Sequence, residues 1–138
     1  MGTWGLGTFD DDIACDWLED LCESDPRAFF AHCLDLTGLD DLEYLACIGV
    51  VCTAEMIHAV LRTPREGLPE FACQWAARHA DLNFLPMVPD AIRGIDRVLE
   101  PQSEMHQLWE DNEEMYDCWK CQVQDLHRNL QSILVENV

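Results

Sequence analysis

Three groups of side chains have the types and spacing for chemistry. Asp10, Asp12 and Asp16 form the first. Asp10 and Asp12 share a turn, and Asp16 follows Asp12 by one helical turn. Three carboxylates so placed can share a hard divalent cation such as Mg²⁺ or Ca²⁺. The spacing lacks the full D-x-[DN]-x-[DN]-G-x₅-E of a calcium loop. The competing reading is structural, because acids at a helix start cap free N–H groups and complement the dipole. Glu55 and His58 form the second group, a Glu-x-x-His whose members share one helix face. Ferritin-like bundles use two such pairs and two more glutamates, and this chain has one pair. The plainer readings are a solvated helix edge or an ion pair from Glu55 to a nearby arginine. Cys118-x-x-Cys121 is the third group. Zinc needs two further ligands on that side, and His127 lies on a different face. A redox dithiol needs a lowered thiol pKa, which Asp117 and Asp125 oppose. Incidental thiols are the plain reading.

No nucleophile elbow, phosphate loop or dinucleotide fingerprint occurs. The histidines at 32, 58, 79, 106 and 127 include no i, i+4 pair. The tryptophans at 4, 17, 75, 109 and 119 mostly fall at core positions. These absences favour a non-enzymatic role.

The elements that must position these groups are helices. No strand pattern stands out, and apolar residues recur with helical period. Residues 1–9 form a Gly-rich arm. A first helix starts at Asp10, with Ile13, Trp17, Leu18 and Leu21 inward, and Cys15 and Cys22 on one packing face. Ser24-Asp25-Pro26 signals a second helix, ended by Gly38. Asp40 or Asp41 caps a third. From Leu42 to Leu61 it is apolar nearly all round, so it is the enclosed, central one. Pro69 opens a fourth helix carrying Phe71, Ala72, Trp75, Ala76 and His79. Residues 81–87 are a connector. A fifth helix starts near Pro89 and stops at Pro101. Ser103 caps a sixth, with Met105, Leu108 and Trp109 inward. The last runs from about Glu113 to Val135. Short connections suit a single compact all-α domain over 1–138, a bundle of six to seven helices with the arm packed on it.

The N-terminal stretch carries a pattern of its own. Trp4, Gly5, Gly7, Phe9, Asp10, Asp12, Ala14, Asp16 and Trp17 spell W-G-x-G-x-F-D-x-D-x-A-x-D-W. This resembles the opening of the bacterial domain-of-unknown-function family 4259. Ala54-Glu55, Arg97-Val98-Leu99 and Ser103 to Glu110 resemble its later segments, so the likeness covers nearly the whole chain. The high cysteine count departs from the family. The resemblance implies a small soluble bacterial domain and no particular activity. Physically, Gly5 and Gly7 allow close backbone approach, Trp4 and Phe9 anchor the arm, and Asp10 caps the helix.

Composition bounds the function. The 138 residues hold 27 acids against 8 Lys and Arg, a net charge of −19, and 49% apolar residues. Such a chain folds and lacks the clustered cations that nucleic acid requires. It disfavours an anionic membrane surface. No export signal or bilayer-length apolar run stands in the sequence, so the expectation is cytoplasmic, with the eight cysteines reduced and mostly small core filler. The acids are clustered. Residues 10–25 hold eight and residues 104–117 six, with no Lys or Arg in either segment. Asp11, Asp12, Asp16, Glu19, Asp20 and Glu23, with Glu110, Asp111, Glu113 and Glu114, form a candidate acidic face if the two segments lie side by side. That face suits a basic protein partner, in the manner of an immunity or regulator protein. The competing account of the charge is plain solubility. The alternative function is a metal-dependent enzyme or metal binder using the N-terminal aspartates, Glu55 and His58. No cofactor is expected beyond a possible divalent metal.

Overall fold

Helix boundaries follow capping chemistry, some local and some long-range. The structure is a computed structural model and describes residues 12–38 and 42–136. Those residues form seven α-helices and no strand: α1 (Asp12–Cys22), α2 (Pro26–Asp35), α3 (Tyr44–Leu61), α4 (Glu70–Arg78), α5 (Val88–Leu99), α6 (Glu104–Glu110) and α7 (Tyr116–Glu136). Single 3₁₀ turns follow α2 (Leu36–Gly38) and precede α5 (Leu85–Met87). The arm, Asp10, Asp11 and the caps expected at Asp40 or Asp41 lie outside the described residues.

Asp25 is the N-cap of α2. Its Oδ2 accepts from the Ala28 N–H at 3.0 Å, ahead of Pro26 in the first turn. Gly38 does not end an unbroken helix, because the α-helix stops at Asp35 and a 3₁₀ turn completes it. Side chains satisfy the carbonyls left there. The Thr37 hydroxyl donates to the Leu34 carbonyl, and Arg97 donates to that of Thr37. The third helix starts at Tyr44, not Leu42, and its cap comes from far along the chain. The Leu42 carbonyl accepts from the Glu104 N–H, and the Glu104 carboxylate accepts from the Tyr44 N–H, both at 3.0 Å. The last helix starts at Tyr116, not Glu113. The Asn112 carbonyl takes the Met115 and Tyr116 N–H groups and turns the chain there.

α3 is the hub. It packs against every other helix, and fourteen of its eighteen residues are buried. Each large aliphatic side chain so enclosed contributes about 1.5–3 kcal/mol. Its length and apolarity would suffice to cross a membrane, but here 78% of it is enclosed by the bundle. α5 meets both α3 and α7. Close approach of α5 to α3 depends on Gly94, where a Cβ would stand 2.7 Å from Val50 Cγ1 and 3.2 Å from Thr37 Cγ2. An aromatic cluster ties the first helices down. Phe30 stacks on Trp17 at 6.2 Å and meets Trp75 and Phe84 at 6.0 and 5.1 Å. Four expected inward residues, Ile13, Cys22, Phe71 and Leu108, are exposed instead, Ile13 in the first turn of α1. Cys22 ends α1, Phe71 stands in the first turn of α4, and α6 is too short for three inward positions. His106 takes the buried place beside Met105.

Candidate functional site

α1 has two unlike faces. Ala14, Trp17, Leu18 and Leu21 recur at helical spacing and are buried. Trp17 stacks on the α2 aromatics and donates its indole N–H to Cys33 Sγ at 3.4 Å. That anchorage fixes the opposite face in solvent. Asp12, Asp16, Glu19, Asp20 and Glu23, the last just past the helix end, are all exposed there. Within that set, Asp12 and Asp16, Asp16 and Asp20, and Glu19 and Glu23 are i, i+4 like-charge pairs. Each costs helix stability on the order of 0.2–0.5 kcal/mol.

Most of the basic side chains are engaged away from α1. Arg62, Arg65, Arg93, Arg97 and Arg128 pair with Glu136, Glu55, Asp90, Glu100 and Asp125. Arg27 lies over the Phe84 ring and Lys120 over the Tyr116 ring, both at 5.8 Å. Arg78 projects its charge onto Cys22, at the far end of α1. Among the described residues, no cation pairs with an acid of α1. Glu110, Asp111, Glu113 and Glu114 are exposed too. α6, which ends at Glu110, packs on α3, α5 and α7 and shares at most a marginal contact with α1. The two acidic segments are thus carried by different parts of the bundle.

Glu55 and His58 lie inside, not on a solvated edge. The Glu55 side chain is 1% exposed and that of Arg65 is 14% exposed. Arg65 Nη1 stands 3.2 Å from Glu55 Oε2, and Nη2 donates to the Gln122 carbonyl at 3.0 Å. One guanidinium therefore joins the segment after α3 to α3 and α7. His58 lies one turn beyond Glu55. Burial, and then the Arg65 charge, hold its pKa below the ordinary 6.5. A carboxylate held by a guanidinium beside an imidazole kept neutral works as a structural pin. Asp12 and Asp16 face solvent on α1 while Glu55 and His58 face the interior, so the structure does not join them in one site. Among the described residues, no three His, Cys, Asp or Glu side chains converge as a metal-binding group.

Cys118 and Cys121 are exposed in the first two turns of α7, and the described cysteines are free thiols. Cys33, Cys47 and Cys52 are buried filler, as their sequence settings suggested. Burial pushes the Cys47 thiol pKa up. An open cleft of about 290 Å³ lies between α2 and α5. Asp35, Asp90 and Arg93 stand around Leu34 and Met87 there, with Asp90 already paired to Arg93. The Thr37 hydroxyl in that cleft is committed to the Leu34 carbonyl. Two residues that the sequence did not single out, Glu104 and His106, anchor α6. The capping Ser103, whose Oγ accepts from the His106 N–H at 3.0 Å, was the available signal.

The model of the Domain of unknown function (DUF4259) family matches residues 2–122. The chain belongs to that family. No curated protein and no solved structure matches it. The DUF4259 match spans α1 to α6 and reaches the first turns of α7, taking in both acidic segments.

Proposed function

We propose that this DUF4259 protein is a non-enzymatic interaction module that binds a basic protein partner in the cytoplasm. The exposed face of α1 carries the reading. Five acids crowd that face and pair with no cation among the described residues, although their mutual repulsion weakens the helix. A basic partner removes that repulsion on binding, and the surrounding field speeds its approach. The apolar face keeps α1 rigid while it does so. The exposed acids of residues 110–114 offer a second, separate patch to the same kind of partner.

The test compares the wild type with Asp16→Asn/Asp20→Asn/Glu23→Gln as bait in extract from the source cell. The wild type should retain a discrete basic protein, and retention should weaken steeply with salt. The triple variant should lose it while melting no lower than the wild type. Equal capture by both baits defeats the proposal. So does a stoichiometric bound metal that disappears in Asp12→Ala, which establishes the metal-binding alternative.

A further inference from the structure

The cleft between α2 and α5 holds an acid placed against its local field. Asp35 is the last residue of α2 and is exposed. The C-terminal end of a helix is its negative end, where cations are favoured and carboxylates are not. Among the described residues, no cation pairs with Asp35. Asp90, on the α5 side of the cleft, is matched twice. It stands in the first turn of α5, at the positive end of that helix, and Arg93 pairs with it. Two carboxylates against one guanidinium leave the cleft negative.

Size and lining then narrow the occupant. The volume of about 290 Å³ falls just short of the roughly 300 Å³ at which pockets for drug-sized ligands begin, so it fits a single side chain. Leu34, buried, and Met87, half-buried, supply an apolar floor. A methylene stem lies on such a floor while a charged head stays at the wet rim. Gly38 leaves room along one side, since a Cβ there would meet nothing within 4 Å. An anion would face two carboxylates. A metal ion lacks a third ligand, because among the described residues no three metal-binding side chains converge. A wholly apolar ligand would desolvate Asp35 without replacing its water. Of the two basic side chains, arginine suits a half-open, half-apolar site. Its guanidinium is more weakly hydrated than an ammonium and bonds a carboxylate through two N–H groups.

We propose that this cleft seats one arginine side chain of the basic protein partner, with the stem along Leu34 and Met87 and the guanidinium on the Asp35 carboxylate. The inference rests on the reading of a basic partner and adds the residue that the partner inserts. The helix that holds Asp35 is a neighbour of the acidic helix, since Phe29 and Phe30 of α2 pack on Trp17 of α1. The α1 acids attract at long range and tolerate many orientations. The cleft fixes one orientation, which is how charged contacts set register.

The experiment follows backbone amide chemical shifts of the isotope-labelled full chain as N-acetyl-arginine N-methylamide is added. Saturable shifts should gather at Leu34, Asp35, Gly38 and Met87, and should persist in Asp16→Asn/Asp20→Asn/Glu23→Gln. Asp35→Asn should weaken binding about fivefold, the weight of one partly exposed ion pair. It should melt no lower than the wild type, because it removes an acid from the negative end of α2. The norleucine counterpart, which keeps the stem, and guanidinium ion, which keeps the head, should each bind more weakly than the arginine derivative. Shifts that stay linear, that gather only on α1, or that are unchanged in Asp35→Asn overturn the proposal. Guanidinium ion binding as tightly as the arginine derivative also overturns it. The α1 reading fails separately, through equal capture by the two baits, and the shift map still decides the cleft.

Discussion

Arg65 reaches back ten positions to hold the carboxylate of Glu55 at 3.2 Å inside the bundle. Removing the guanidinium leaves a carboxylate buried without its guanidinium partner. Arg65→Met should therefore cost about 3–5 kcal/mol, read as a lowered urea midpoint. Glu55→Gln in the Arg65→Met background should recover part of that loss, because the buried charge is gone. Equal stability of wild type and Arg65→Met would show that the pair contributes nothing net.

His58 makes stability depend on pH. Its folded pKa lies below the unfolded value of 6.5, so the unfolded chain takes up the proton first. Stability should be full above that value and fall as pH drops through it, levelling once the folded imidazole also protonates. His58→Gln should flatten this part of the profile, measured as the denaturation midpoint from neutral pH down to the range where carboxylates titrate.

Gly94 sets the distance between α3 and α5. The Cβ of Gly94→Ala would press on Val50, whose branched side chain has little rotamer freedom. A loss of about 1–3 kcal/mol is expected in chemical denaturation. Adding Val50→Ala should relieve the clash, so the double variant should lose less than the two single losses combined.

Thiol labelling reads the burial pattern directly. Cys118 and Cys121 should react first in the native protein. Cys22 is also exposed but should react more slowly, since partial burial, with smaller contributions from Glu23 and Glu19, raises its pKa against the opposing charge of Arg78. Cys33, Cys47 and Cys52 should react only on unfolding, when all eight thiols become available. Peptide-resolved alkylation with time checks the order.

Much of the fold was legible because it rests on local signals. Pro26 behind Asp25, Ser103 before α6, and the nearly all-round apolar run of α3 each place an element from its own residues. The start of α3 was not legible, since Glu104 supplies its cap from sixty positions away. The surroundings of Glu55 were half legible. An acid inside an apolar run calls for a cation, but choosing Arg65 over Arg62 requires the chain reversal after α3. His106 was missed because its partners converge from the end of α5, from α6 itself and from the start of α7, which no spacing along the sequence encodes. The opposed faces of α1 could be read directly, because a single helix expresses them.

The enclosure of α3 has a consequence during synthesis. This helix leaves the ribosome before α5 and α7 have been made, as an eighteen-residue segment apolar enough for membrane-insertion machinery to sample. Glu55 sits within it with no guanidinium yet at hand, since Arg65 follows ten residues later. An ionised side chain near the middle of a span costs about 3 kcal/mol to insert. The same carboxylate that needs a guanidinium in the finished bundle thus adds a cost to bilayer entry in the nascent chain.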